Sequence, residues 1–159
     1  ILGAGGAARA VAFALAQAKV AALAIANRNV GRAHALADAV RGAGARAVAI
    51  ELRQGMVIGG LPAMDLVVNC TTVGMRSTGT EGDSPLAEAH LRREMLVCDL
   101  VYSPPETALM RAARKAGCRV LGGLPMLVYQ GALAFELWTG RQAPVEVMRR
   151  AAEQALATT

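Results

Sequence analysis

Ile1-Leu2-Gly3-Ala4-Gly5-Gly6-Ala7-Ala8-Arg9-Ala10 carries two apolar residues into a glycine-rich turn and then into an alanine-rich run that ends near Gln17. The order strand, Gly3-x-Gly5-x-x-Ala8, helix is that of a turn built to hold a dinucleotide. Gly3 permits the tight turn, Gly5 lets backbone approach a pyrophosphate, and the small Ala8 lets helix pack on strand. The phosphates would sit at the helix N-terminus, where unpaired N–H groups and the helix dipole supply a positive field without a charged side chain. Glycine and alanine are abundant in this chain, so the competing account of the isolated match is a flexible turn. The rest of the chain decides between them.

Val20 to Ala26 is a short apolar run suited to a strand buried on both faces. Ala33, Leu36, Ala37 and Val40 recur at i, i+3, i+4 and i+7, which predicts an amphipathic helix stopped by Gly42 and Gly44. Arg46 to Leu52 reads as a third strand, Gln54 to Ala63 has no assignable pattern, and Leu66 to Asn69 follows as a fourth strand. Thr71 to Pro85 is a polar, glycine-bearing loop long enough to suggest function. Leu96 to Tyr102 predicts a fifth strand closed by Ser103-Pro104-Pro105. Thr107 to Ala116 predicts a helix with Leu109, Met110 and Ala113 on one face, and Arg119 to Leu121 a short sixth strand. A helix from about Met126 to Trp138 comes next. Pro144, at the first helical position, opens a last one with Val145, Met148, Ala152, Ala155 and Leu156 on one stripe. The alternation predicts an α/β fold, a doubly wound, mostly parallel, Rossmann-like sheet with helices on both faces, as one domain over residues 1–159. Strands typically run five or six residues, so a first strand of two reads as truncated. The expectation is of a piece whose upstream part is missing.

Composition narrows the partners. Of the 159 residues, 54% are hydrophobic but only 3% aromatic, which suits close-packed helices on a sheet rather than stacking platforms for bases. The net charge of +5 comes from scattered arginines, so no nucleic-acid partner is expected. The longest uncharged run, Val120 to Phe135, is shorter than a membrane span requires, and no membrane partner is expected. Cys70, Cys98 and Cys118 are unevenly spaced and read as buried thiols of a reducing, cytoplasmic compartment. His34 and His90 lack ligand-spaced partners, so no metal is expected.

In a doubly wound sheet the ligand lies outside the carboxyl ends of the strands. That rule selects Gly3 to Gly6, Asn27 to Asn29, Asn69 to Met75, Tyr102 to Pro105 and Gly122 to Met126. An NAD-binding fold usually carries an acid about twenty residues past the glycine turn, where it accepts from the ribose 2′-OH. Here that position offers Asn27-Arg28. A cation suits a 2′-phosphate and the missing carboxylate would have repelled one, so NADP is the expected cofactor, with Arg32 one helical turn on from Arg28. A surface arginine at a strand end is the competing account.

At this point the chain resembles a known family. Gly3-Ala4-Gly5-Gly6-Ala7-Ala8-Arg9-Ala10, Asn27-Arg28-Asn29-x-x-Arg32-Ala33, Asp65-x-x-Val68-Asn69-Cys70-Thr71-Thr72-Val73-Gly74-Met75, Asp99-Leu100-Val101-Tyr102-Ser103-Pro104 and Gly123-Leu124-Pro125-Met126-Leu127-Val128-x-Gln130 look like the successive signatures of shikimate dehydrogenases. Five motifs in order are far more specific than any one. The resemblance implies reduction of 3-dehydroshikimate to shikimate with NADPH, and it covers only the C-terminal cofactor domain of that family, whose substrate domain is N-terminal. It assigns Gly3, Ala4, Gly5, Gly6, Ala7 and Ala8 to the pyrophosphate and Asn27, Arg28 and Arg32 to the 2′-phosphate. Thr71, Leu100 and Gly123 fall to the nicotinamide side, and Tyr102 and Gln130 to the substrate. Asn29, Gly122 and Pro125 depart from the usual threonine, aspartate and glycine.

Carbonyl reduction needs a proton donor beside the oxygen that gains charge. The resemblance places that lysine and aspartate on the N-terminal domain, so no catalytic residue is assigned here. Lys19, at the amino end of a strand, and Lys115, in the last turn of a helix, cannot serve. Asp65 and Asp99 are read as structural. Glu81 and Asp83 are read as solvated loop acids, with a catalytic role left open. Three accounts remain: the cofactor half of an NADP-dependent shikimate dehydrogenase, a stand-alone NADP-binding module, and the cofactor domain of a quinate-type or methylene-tetrahydrofolate-type relative. Oligomeric state stays open between monomer and homodimer.

Overall fold

A computed structural model describes residues 1–53, 56–57 and 64–157, with 56 and 57 as backbone. After the opening turn the chain runs α1 (Gly6–Gln17), β1 (Leu23–Asn27), α2 (Val30–Gly42), β2 (Ala47–Arg53), β3 (Met56–Val57), β4 (Leu66–Asn69) and β5 (Leu96–Asp99). α3 (Ala108–Lys115), β6 (Arg119–Leu121), α4 (Leu124–Thr139) and α5 (Val145–Ala157) complete it. β1 pairs in parallel with β2, which takes β3 antiparallel, and β4, β5 and β6 form a second, parallel set. Leu2 joins the two sets by bridging in parallel to Ala26 and to Asn69. The order across the sheet is therefore β3-β2-β1-Leu2-β4-β5-β6, a doubly wound arrangement that switches direction at Leu2.

Alternation along β1 divides the core in two, because successive strand side chains point to opposite faces. Leu23 and Ile25 pack with Ala8, Ala12, Ala33, Leu36, Ala37 and Val40 of α1 and α2. Ala26 and Leu2 pack on the other face with Val67, Val97, and Leu109 and Ala113 of α3. Ala8 and Ala12 of α1 and Ala33 and Ala37 of α2 are wholly buried, so small side chains on the inner faces are what let these helices lie close to the sheet. The predicted faces of α2 and α3 are the observed ones, with Ala33, Leu36, Ala37 and Val40 buried on the first and Leu109, Met110 and Ala113 on the second.

Several boundaries move. β1 begins at Leu23 rather than Val20, because the turn after α1 is held by Lys19 in a left-handed conformation (φ 58°). β5 ends at Asp99 rather than Tyr102, because the Asp99 carboxylate accepts the Val101 N–H (3.0 Å) and takes it out of any ladder. α4 begins at Leu124, since Pro125 in its first turn has no N–H that the helix needs. The predicted stripe on α5 is only half-buried, and its Ala155 is exposed. α4 and α5 pack on each other; α4 buries Val128 and Ala132 and leaves Tyr129, Leu133, Leu137 and Trp138 exposed. Most of the unassigned segment Gln54 to Ala63 lies outside the described residues.

Leu109 is wholly buried between α3 and the sheet. Leu109→Ala should therefore cost about 2–5 kcal/mol, measured as a lower urea midpoint at unchanged m-value.

Candidate functional site

A cleft of about 880 Å³ opens at the carboxyl ends of the strands, beside the point where the sheet switches direction. Ala4 and Gly5 line it from the turn, Asn27, Arg28 and Arg32 from the end of β1 and the start of α2, and Thr71 from the end of β4. Asp83 to Pro85 add a wall from the long loop. An apolar cavity of about 300 Å³ lies at the other end, against Val20 to Leu23 and Asp65 to Val67, away from where doubly wound sheets bind ligands.

The glycines of the turn do different things. Gly3 has φ +102°, and a Cβ there would lie 3.1 Å from the Cys70 carbonyl oxygen and 3.2 Å from Thr71 Cγ2. It is needed both for its conformation and for the close approach of the β4 loop. A Cβ on Gly5 or Gly6 would meet nothing within 4 Å, so the space before α1 is open. Gly5 caps α1 without a side-chain bond and the first turn holds no acid, whereas Asn29 caps α2 and Thr107 caps α3. The first N–H groups of α1 thus receive no side-chain cap, and a helix start of that kind suits an anion. Ala7 is exposed on that turn, while Ala8 is wholly buried against the sheet.

At the end of β1, Asn27 Nδ2 donates to the Asn29 carbonyl (3.0 Å), and Asn29 Oδ1 accepts from Arg32 N (3.2 Å). Asparagine and threonine both serve as N-caps, which accounts for Asn29 as a departure without cost to α2. Arg28 and Arg32 are exposed and pair with no acid among the described residues. The cleft wall thus presents two guanidinium groups against one carboxylate, that of Asp83.

The loops that leave β5 and β6 meet backbone to backbone. A Cβ on Gly123 would lie 2.4 Å from the Leu100 oxygen and 2.7 Å from that of Val101, so no other residue fits. Gly122 faces Met110, whose Cε would lie 3.3 Å from a Cβ placed there. Leu100 and Gly123 are thus brought together, but neither lines the 880 Å³ cleft, nor do Tyr102 and Gln130. Tyr102 is half-buried just past β5, and Gln130 is exposed on α4 with Nε2 donating to the Leu127 carbonyl (3.0 Å). Lys19 lies in the turn after α1, and Lys115 pairs with Glu88 (3.0 Å). Cys70 borders the cleft, but burial pushes its thiol up to about 12, so it stays protonated and is no nucleophile.

Sequence reasoning passed over a buried polar cluster beneath this end of the sheet. Asn69, Asp99 and Thr107 are at most 1% exposed. Asp99, read as a structural residue inside a strand, is the last residue of β5 and stands in register with Asn69, the last of β4. Burial raises the Asp99 carboxyl above its ordinary range, against which hydrogen bonds from Thr107, Val101 and Asn69 act. The available signal was two apolar runs, Leu66-Val67-Val68-Asn69 and Leu96-Val97-Cys98-Asp99, each closed by a polar residue.

The sheet order and the glycine turn define a doubly wound α/β domain of the dinucleotide-binding type. The chain belongs to the shikimate / quinate 5-dehydrogenase family, whose model matches residues 1–102, and the model of the shikimate 5′-dehydrogenase C-terminal domain matches residues 123–153. It is 51% identical over 157 residues to the shikimate dehydrogenase (NADP(+)) of Moorella thermoacetica, covering 98% of this chain and 52% of that protein. Among solved structures, the ligand-free 5-ketofructose reductase of Gluconobacter sp. strain CHM43 superposes with a TM-score of 0.84 at 34% identity, over 97% of this chain and 55% of that one. The shikimate 5-dehydrogenase of Thermus thermophilus, solved with NADP(H) and shikimate, gives 0.77 at 42% identity, over 98% and 54%. The chain spans about half the length of the relatives it matches.

The two turn glycines make separable predictions. Gly3→Ala should lower the melting temperature, with strain of about 1–3 kcal/mol from its positive φ. Gly5→Ala should lower it by less, because its Cβ enters open space and only glycine's advantage over alanine at the N-cap is lost.

Proposed function

We propose that this chain is the NADP-binding half of a shikimate-dehydrogenase-type oxidoreductase that interconverts 3-dehydroshikimate and shikimate. The observation that carries the reading is the pair of arginines without an acidic partner among the described residues, Arg28 and Arg32, in one cleft with the open start of α1, whose cap makes no side-chain bond. Gly3, Ala4, Gly5, Gly6, Ala7 and Ala8 form the pyrophosphate cradle, through the α1 N–H groups and the space above Gly5. Asn27, Arg28 and Arg32 hold the 2′-phosphate, and Thr71, Leu100 and Gly123 border the nicotinamide. Bound NADPH supplies hydride to the substrate carbonyl. Tyr102 and Gln130 orient the substrate through hydrogen bonds to a hydroxyl or carboxylate.

The proton comes from outside this chain's residues. Gln130 shares an exposed face of α4 with Met126, Leu133 and Leu137, and that face is where the substrate domain, the other half of the relatives' length, packs. The three cysteines are free thiols, which supports a reducing, cytoplasmic setting, and no helix among the described residues is long and apolar enough to cross a membrane. A second reading, another ketone or polyol on the same cofactor half, is favoured by the TM-score of 0.84 to the 5-ketofructose reductase. Turnover of shikimate, quinate and fructose by the intact enzyme separates the two.

Calorimetric titration should show NADP binding roughly tenfold to a hundredfold more tightly than NAD, the yield of one charge-assisted contact. Arg28→Ala should erase most of that preference. Equal affinities in the unmodified protein reject the 2′-phosphate role. In the intact enzyme Tyr102→Phe should raise the substrate KM or lower kcat while NADP affinity holds, and unchanged kinetics remove Tyr102 from the substrate site.

A further inference from the structure

We infer that Asp99, which touches no ligand itself, is a positioning residue that sets how Thr71 meets the nicotinamide end of the cofactor; the inference rests on the cofactor reading above. Asp99 is wholly buried and lies one layer beneath the cleft. Its Oδ1 accepts from Asn69 Nδ2 (2.8 Å) and from Val101 N (3.0 Å), and its Oδ2 accepts from Thr107 Oγ1 (2.6 Å). Because a backbone N–H can only donate, the Oδ1 that meets Val101 N is an acceptor. Asn69 must therefore turn its NH₂ toward Asp99 and its carbonyl oxygen toward Thr71.

That orientation has a consequence in the cleft. Asn69 Oδ1 accepts from both Thr71 N (3.0 Å) and Thr71 Oγ1 (2.7 Å), and Thr71 Oγ1 accepts in turn from Val73 N (3.2 Å). The Thr71 hydroxyl proton is thus committed inward. What Thr71 has left for the cleft it lines is a lone pair. It selects a donor there, and the carboxamide NH₂ of a nicotinamide is a group of that class.

The same carboxylate also holds the turn after β5, beside the cleft. By taking Val101 N it fixes the peptide whose neighbour, Leu100, donates N–H to the Asn69 carbonyl (3.0 Å) and presents its own carbonyl to Gly123. Thr107, on the other carboxylate oxygen, also caps α3 through Met110 N (3.2 Å). Asp99 therefore ties the ends of β4 and β5 and the start of α3 into one unit. Among the described residues, the adenosine end of the cleft, at Arg28 and Arg32, has no hydrogen bond to this network.

The test compares two ligands on the full chain: NADPH, followed by its nicotinamide emission, and 2′,5′-ADP, which lacks the nicotinamide, followed by calorimetry. Asp99→Ala should weaken NADPH about tenfold and reduce the emission change on binding, while 2′,5′-ADP affinity stays within twofold. Asp99→Asn, which can still accept from Asn69 and Val101 with its oxygen, should recover most of the loss. Thr71→Val, which deletes the presented lone pair at constant shape, should reproduce the selective loss, and it decides the matter if Asp99→Ala does not fold. Equal losses for both ligands, or no loss for NADPH, overturn the inference. Failure of the unmodified chain to bind 2′,5′-ADP instead overturns the cofactor reading.

Discussion

Four backbone hydrogen bonds around Leu2 hold the two halves of the sheet together. Leu2 N donates to Val68 O and Cys70 N to Leu2 O on one side, each at 2.8 Å; Ala26 N donates to Ile1 O (2.8 Å) and Gly3 N to Ala26 O (2.7 Å) on the other. Without them β1 to β3 and β4 to β6 are separate three-stranded sheets. Because the chain turns toward β1 on one side and later returns to β4 on the other, the end of this short strand is the place where the two windings part. The crevice follows from the topology, and the glycine turn occupies it because it is the next thing in the chain.

A sheet edge of this kind must also manage polar groups that the crevice brings near the core. Asn69, Asp99 and Thr107 do so with every buried side-chain polar atom among the described residues satisfied. The cost of burying a carboxylate, visible in the raised Asp99 titration, is offset by three donors, and the low dielectric strengthens each of those bonds. Such a network is informative because it is directional: one acceptor-only group sets the orientation of an amide, which sets that of a hydroxyl two residues from the strand end.

The periodic elements were legible because their signals are local. Ala33, Leu36, Ala37 and Val40 needed only a helical period to announce their buried face, and Leu66 to Asn69 and Arg119 to Leu121 needed only flanking breakers. The end of β5 was not legible, since an apolar run through Val101 looks like continued strand, whereas a side chain of Asp99 stops it by capturing a backbone N–H. The candidate cleft was readable from the strand ends, as far as Ala4, Gly5, Asn27, Arg28, Arg32 and Thr71. The long loop was legible as functional, but the placement of Asp83 to Pro85 as a third wall was not, because the path of such a loop depends on contacts such as Arg76 N to Ser103 O (2.9 Å) that no spacing encodes.

The two ends of the cleft are built on opposite physical terms. At the β1 end the groups are charged, exposed and held only by the cap of α2, so they offer attraction that salt screens and motion that costs little to arrest. At the β4–β5 end Thr71 is neutral and braced from beneath by Asp99, and the turn beside it is packed so tightly that Gly123 admits no side chain. An exposed guanidinium contributes affinity without demanding accuracy, while a hydroxyl with one lone pair to offer contributes no more affinity than that and demands the right partner in the right place. On the proposed cofactor reading, the larger share of binding strength therefore resides at the adenosine end and orientation of the reacting ring at the other. The rigid network belongs at the second, where a displacement of about 1 Å costs far more in rate than in affinity.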